Sequence, residues 1–258
     1  MQLKDKVIVV TGGGSGIGAA MARRFAREGA KAIVVADLNL ANAETIAAEA
    51  GGVARKVNVA SEADIKALIE ATEQEQGPID LFCSNAGIGL GLGLETSNED
   101  WDTIMGVNVM AHVYAARHLV PKMVARGGGY LLNTASAAGL LSQIGSVTYA
   151  VTKHAAVSLA EWISITHGNE GIRVSVLCPQ AVDTPMIAGT DAGGVAGVDG
   201  IMSAEAVADV VVEGLAEETF LILPHPSVRE YIQRKAGDYD RWLGGMRKLQ
   251  ARYGQKAV

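Results

Sequence analysis

Lys6-Val7-Ile8-Val9-Val10-Thr11-Gly12-Gly13-Gly14-Ser15-Gly16-Ile17-Gly18 is the stretch on which the fold turns. Its first half is an unbroken β-branched run, the composition of a strand covered on both faces rather than one alternating between core and water. Its second half is glycine-rich and leads into Ile17, Met21, Phe25 and Ala26, apolar residues at helical spacing, with Gly29 placed to end the helix. Glycines between a strand and a helix let the backbone turn sharply and approach a pyrophosphate, whose charge is stabilised by the free N–H groups and dipole of the helix N-terminus. A flexible turn is the alternative. The spacing is not G-x-G-x-x-G, so placement makes the loop informative. Asp37 ends the next apolar run, where a carboxylate can accept hydrogen bonds from the ribose hydroxyls of an adenine dinucleotide.

Outward from this unit the same rhythm continues. Short β-branched runs at 32–37, 53–59 and 79–84 each precede a helical stretch, and further strands are expected at 130–135, 172–177 and 220–223. Strand–helix alternation with doubly apolar strands predicts an α/β fold: one Rossmann-type, doubly wound parallel sheet with helices on both faces, spanning residues 1–258 as a single domain. Two segments break the pattern. Residues 184–203 are rich in Gly and Ala, as befits a substrate loop between a strand and a helix. The tail from 225 to 258 carries Tyr231, Tyr239, Trp242 and Tyr253 among many charges and reads as a solvated terminal helix.

Bulk composition narrows the function. The 258 residues are 49% hydrophobic and 19% charged, ample for a core, and the net charge of -6 gives no reason to bind nucleic acid. No run approaches the ~20 apolar residues of a membrane-crossing helix, and the N-terminus lacks a secretion pattern, so a cytoplasmic location is expected. Cys83 and Cys178 lie in apolar runs expected to flank the 130–135 strand; two strand spacings separate them by about 9.6 Å, so both should stay reduced. The histidines show no ligand spacing and no metal is expected.

Ser136 follows one expected strand, and Tyr149-Ala150-Val151-Thr152-Lys153 opens the next helix with Tyr149 and Lys153 on one face. With Thr11-Gly12-x-x-x-Gly16-x-Gly18, Asn85-Ala86-Gly87, Asn108, and Pro179 with Thr184, these motifs occur in the order that resembles the short-chain dehydrogenase/reductase family, from Lys6 to about Leu223. The resemblance implies an NAD(H)-dependent dehydrogenase or reductase acting on a secondary alcohol or ketone, working as a homotetramer. By it, Tyr149 exchanges the proton, Ser136 orients the substrate oxygen, Lys153 holds the nicotinamide ribose and supports the tyrosinate, and Asn108 anchors a water in a proton path. The cofactor would contact Gly12, Ser15, Gly16, Ile17, Gly18, Asp37, Asn58, Val59, Asn85, Ala86, Gly87, Tyr149, Lys153, Pro179, Val182 and Thr184. Two alternatives stay open: a lyase or epimerase that uses NAD catalytically, and a non-catalytic redox sensor.

Elementary electrostatics supports that division of labour. A lysine ammonium ~4.5 Å from a tyrosine hydroxyl at an effective dielectric of ~20 is worth roughly 3.7 kcal/mol, enough to draw a phenol from ~10 toward neutrality, with desolvation opposing. Departures from the family pattern stand at Asn58-Val59, where Asp-Val is common, and at Pro179-Gln180, where Pro-Gly is usual. Gln180 is therefore a candidate substrate contact with Ser136, Tyr149 and Met186. Leu90, Leu92, Leu94, Leu140, Leu141, Ile144, Met186 and Ile187 are candidate pocket walls, which favours an apolar substrate.

Overall fold

Every residue of β1 (Val7–Thr11) is buried, as its uninterrupted apolar run requires. In chain order there follow α1 (Gly16–Arg27), β2 (Ala32–Asp37), α2 (Leu40–Ala50), β3 (Val53–Lys56), α3 (Glu62–Gln76), β4 (Leu81–Ser84), α4 (Asn98–Met105), α5 (Ala111–Ala125), β5 (Gly129–Thr134), α6 (Val147–His167), β6 (Ile172–Leu177), β7 (Val182–Asp183), β8 (Met202–Ser203), α7 (Ala204–Ala216), β9 (Leu221–Ile222), α8 (Ser227–Gly237) and α9 (Tyr239–Tyr253). This computed structural model describes residues 1–188 and 191–254; the substrate loop at 189–190 and the tail at 255–258 lie outside the described residues.

Seven strands form one sheet in the order β3-β2-β1-β4-β5-β6-β9, all pairs parallel. Ile8, Val10, Leu81 and Leu132 pack with α1, α2 and α7 on one face, and Val9, Phe82, Leu131 and Val176 with α3, α5 and α6 on the other. The strand order reverses between β1 and β4, and the crevice at their C-terminal ends is where open α/β sheets take ligands.

Three expected strands are shorter. β3 stops at Lys56 because Asn58 Oδ1 accepts the Ala60 N–H at 3.1 Å and Ser61 caps α3 through Asp64 N at 3.3 Å, turning the chain out of the sheet. β4 begins at Leu81 because the Asp80 carboxylate is taken by Lys6 Nζ and the Val7 N–H. β9 is reduced to Leu221 and Ile222 on β6. The tail forms two helices rather than one: Asp238 ends α8 and its side chain caps α9 through Arg241 N at 3.0 Å.

Cys83 lies opposite Leu132 on β5, and Leu132 opposite Ser175 on β6, so Cys178 sits two strands away and three residues further along. Both cysteines are free and buried. Among the described residues no helix is long and apolar enough to cross a membrane.

Candidate active site

Gly12 and Gly16 both take positive φ, 61° and 51°, the left-handed backbone that a tight strand-to-helix turn requires. A Cβ on Gly12 would lie 2.8 Å from the Ala86 Cα, so the glycine loop and the 85–87 segment touch backbone to backbone. Ser15 is the N-cap of α1, yet its exposed hydroxyl makes no capping bond, leaving the helix N-terminus with free donors at Ile17 and Gly18. Asp37 is fixed beside this loop: one carboxylate oxygen accepts the Gly14 N–H at 3.0 Å and the other the Asn39 N–H at 2.9 Å. Each oxygen keeps a further lone pair for a hydroxyl.

A hydrogen-bond chain runs from this loop across three strands. The Thr11 hydroxyl accepts from Asn85 N at 3.0 Å, Asn85 Nδ2 donates to Thr11 O at 3.1 Å, and Thr134 Oγ1 donates to Asn85 Oδ1 at 3.1 Å. Lys153 Nζ then donates to the Thr134 carbonyl at 3.2 Å. Thr11 entered the sequence reading only as the first residue of the glycine motif and Thr134 and Thr152 not at all as site residues; for Thr134 the available signal was a polar pair, Asn133-Thr134, closing the apolar strand β5.

Asn108 lies in a π-helical turn, Gly106–Met110, between α4 and α5. Such a turn shifts the i→i−4 ladder and frees a backbone carbonyl. The fully buried Asn108 side chain reads the Ile88 backbone as another peptide would: Oδ1 accepts Ile88 N and Nδ2 donates to Ile88 O, both at 2.9 Å, with a third bond from Nδ2 to Thr152 Oγ1 at 3.2 Å. A Cβ on Gly87 would stand 3.2 Å from Lys153 Nζ and 3.4 Å from Asn108 Oδ1, so these groups converge there.

Ser146 caps α6, and Tyr149 lies in the first turn, where the helix dipole favours negative charge. Ser136 Oγ accepts the Ala138 N–H at 3.1 Å and donates to the Pro179 carbonyl at 3.4 Å, and it acts on the Tyr149 hydroxyl to lower its pKa. The charge balance differs from the sequence expectation. Burial holds the Tyr149 hydroxyl above its ordinary value despite the Ser136 bond. Lys153 Nζ lies 5.5 Å from the tyrosine ring centroid, and the same burial pulls its ammonium down to about 8. Desolvation outweighs the single cation because burial disfavours the charged form of each group.

The remaining candidates fall around this centre. Thr184 lies over Gly16, its Cγ2 3.0 Å from where a Cβ would stand, bringing the 184 turn onto the glycine loop. The Val182 side chain is buried, and its carbonyl accepts from Thr184 Oγ1 at 3.2 Å. Val59 is buried, while Asn58 is exposed beside α3. Met186 is half exposed on the turn Pro185–Ile187. Leu94 is 92% exposed and forms no pocket wall. The Gln180 side chain meets Ser227 Oγ at 3.4 Å and hydrogen-bonds Asp199, so it joins the substrate loop to α8. Lys235 of α8 donates to the carbonyls of Leu140 and Leu141 at 2.8 and 2.9 Å, tying the other wall to the same helix. No group of His, Cys, Asp or Glu among the described residues is arranged to hold a metal.

A glycine cradle at the switch point of a parallel sheet, with Ser136, Tyr149 and Lys153 meeting beside it, defines a dinucleotide-linked oxidoreductase centre. The short chain dehydrogenase family model matches residues 6–193. The chain is 37% identical to a 1-deoxy-11-beta-hydroxypentalenate dehydrogenase of Streptomyces exfoliatus over 238 residues, 89% of this chain and 86% of that one. A cyclohexanol dehydrogenase of an Acinetobacter strain is 35% identical over 194 residues, 72% of this chain and 77% of the relative. A short chain dehydrogenase/reductase from Burkholderia phymatum, solved in complex with NAD, superposes with a TM-score of 0.83 at 32% identity, covering 93% of this chain and 96% of that one. The protein belongs to the short-chain dehydrogenase family.

Proposed function

We propose that the protein oxidises an apolar, cyclic secondary alcohol to its ketone with NAD, and runs the reverse reduction with NADH. The observation that carries this reading is the meeting of Ser136, Tyr149 and Lys153 around Gly87 and Thr134, at the mouth of the glycine cradle. NAD would supply the hydride acceptor, held by the N-terminus of α1, Asp37, the 85–87 backbone, Lys153 and the Val182–Thr184 turn. The chain's own residues do the rest. Tyr149, in its ionised form, takes the alcohol proton; in reduction its hydroxyl returns it. Ser136 donates to the substrate oxygen, where charge develops. Lys153, largely protonated at neutral pH, stabilises the tyrosinate. The substrate class rests on the half-exposed apolar side chains around the site and on the cyclic alcohol named for the Acinetobacter relative.

A screen of alcohols and ketones followed at 340 nm with NAD(H) and NADP(H) tests the proposal. Alcohol-dependent NADH accumulation supports it. Turnover of a substrate without net NADH points to the lyase or epimerase reading, and cofactor binding without turnover to the sensor. Ser136→Ala is expected to lower kcat by about 10²-fold or more, since it deletes one donor to the developing oxyanion. An unchanged kcat removes Ser136 from the mechanism.

The same reading extends to assembly as a homo-oligomer, a tetramer by family resemblance. Val151, Trp162 and Ile165 stand exposed on α6 at helical spacing, Ile165 at 82%. An apolar stripe of this kind is normally covered, and a second copy of α6 is the occupant we favour. Light scattering at micromolar concentration is expected to give a multiple of the 26.8 kDa chain, and Trp162→Glu to lower it; a monomeric wild type rejects the assembly.

A further inference from the structure

We infer that His225 is a positioning residue for Ser136, acting through the one peptide group that joins Pro179 to Gln180. This rests on the reading above in which Ser136 orients the substrate oxygen. The carbonyl of that peptide, Pro179 O, accepts from Ser136 Oγ at 3.4 Å and from Ala137 N at 2.9 Å. Its N–H, on Gln180, donates to His225 Nδ1 at 3.2 Å. A single rigid amide therefore has the serine on one end and the imidazole on the other. Withdrawal of its N–H by an acceptor strengthens its carbonyl as an acceptor, because hydrogen bonds in a chain polarise one another, and it is the Ala137 N–H bond that keeps the Ser136 turn in place when the single hydroxyl proton swings from this carbonyl to the substrate oxygen.

The ring is built into its place. His225 is 4% exposed and sits between β9 and α8. Because Nδ1 accepts the Gln180 N–H, the proton of the neutral ring stands on Nε2. Nε2 is buried without a protein partner among the described residues. Its own carbonyl accepts Val228 N at 3.1 Å, anchoring it to the first turn of α8. Asp199 is the charged group acting on the ring. That carboxylate is held by Ser227 Oγ at 2.8 Å and Tyr231 OH at 3.0 Å, while Lys235 of α8 is committed to the Leu140 and Leu141 carbonyls. At the end of β6, burial keeps the Cys178 thiol neutral beside the serine. Burial lowers the imidazole from its ordinary value, against Ala181 and Asp199, so the acceptor form prevails at neutral pH.

Ser136, Pro179 and Gln180 lie within the matched family region, and His225 lies beyond its end at residue 193. The arrangement also explains why a long side chain is tolerated at 180. Gln180 extends away from the serine toward Ser227 and Asp199, and its backbone N–H does the positioning.

The test uses the full-length protein with histidine nitrogens labelled for NMR, together with steady-state kinetics on NAD and cyclohexanol, or the best alcohol of the screen. Wild-type His225 is expected as the neutral Nε2–H tautomer at pH 7. His225→Leu is expected to lower kcat by about 10-fold, the effect of one lost net hydrogen bond of roughly 1.4 kcal/mol. His225→Asn, whose Oδ1 can accept in place of Nδ1, is expected to stay within about 3-fold of wild type. Acidification below the ordinary histidine range is expected to depress the wild-type rate and to spare the Asn variant on that limb. A purely structural role would lower both variants and leave the limb in place. An Nδ1–H tautomer, a Leu variant as fast as wild type, or an Asn variant as slow as Leu overturns the inference. If no alcohol or ketone turns over, the proposed reaction fails, and the tautomer with the Gln180 amide shift in His225→Leu still decides the hydrogen bond.

Discussion

Tyr149→Phe is expected to lower turnover at least 10³-fold while leaving NADH affinity within about twofold of wild type. The substitution removes one oxygen from the first turn of α6 and keeps the ring, so packing is retained and the only group lost is the one that exchanges the proton. General acid–base catalysis by a placed side chain contributes about 10²–10⁴-fold, and Ser136 cannot replace it because its hydroxyl is far too weak an acid at neutral pH. Three features act on the phenol. Burial disfavours the tyrosinate; the Ser136 hydrogen bond favours it; and the N-terminal end of α6, with Lys153 one turn further on, places positive potential beside it. NADH fluorescence titration and single-turnover kinetics on the same preparation separate binding from chemistry. Appreciable turnover in the Phe variant would show that the proton passes through another group.

What the sequence made legible follows the range over which each feature is determined. β1, the glycine turn and α1 are set within some twenty residues by local patterning, and β6 spans 172–177 as read. Tyr149 and Lys153 share a face through helix geometry alone, which is why their side chains meet. Strand ends were less legible because they depend on partners elsewhere in the chain: β4 starts where Asp80 has been captured by Lys6 and Val7, 74 and 73 residues earlier. The contact between His225 and Gln180 was beyond reach for the same reason. The bond between them spans 45 residues and joins the end of β6 to a tail with no periodic pattern of its own. Position 180 departs from the family at a strand C-terminus, where ligands gather, so a substrate contact was the natural expectation. The backbone N–H there is taken by a histidine that composition gave no reason to single out. The tyrosine–lysine balance also escaped the sequence, because Coulomb attraction can be estimated from a motif whereas desolvation requires knowing that both groups are buried together.

NAD is expected to be preferred over NADP by about 10²-fold or more in kcat/KM, equivalent to roughly 2.7 kcal/mol. The preference turns on the Asp37 carboxylate, held at the end of β2 by the N–H groups of Gly14 and Asn39. One oxygen is thereby fixed on the glycine loop and the other on the Asn39 turn, each with a lone pair left to accept from ribose hydroxyls. A 2′-phosphate at that position would meet a carboxylate unable to swing away, a like-charge contact without compensation. Basic residues are lacking where they could relieve it: Ser15 occupies the loop, and Leu38, 65% exposed, follows Asp37. The neighbouring cation is Lys56, in register with Asp37 across β2 and β3. Asp37→Ala alone should therefore recover part of NADP use by unmasking Lys56. Adding Leu38→Arg supplies a planar guanidinium suited to phosphate and should reverse the preference. The measurement is kcat/KM for both cofactors on wild type, single and double variants. Electrostatic rejection also predicts that wild-type discrimination weakens at high ionic strength, where surface charges are screened over a few ångströms. Equal use of the two cofactors by the wild type would mean that Asp37 does not meet the ribose, and that its bonds to Gly14 and Asn39 serve only to hold the loop.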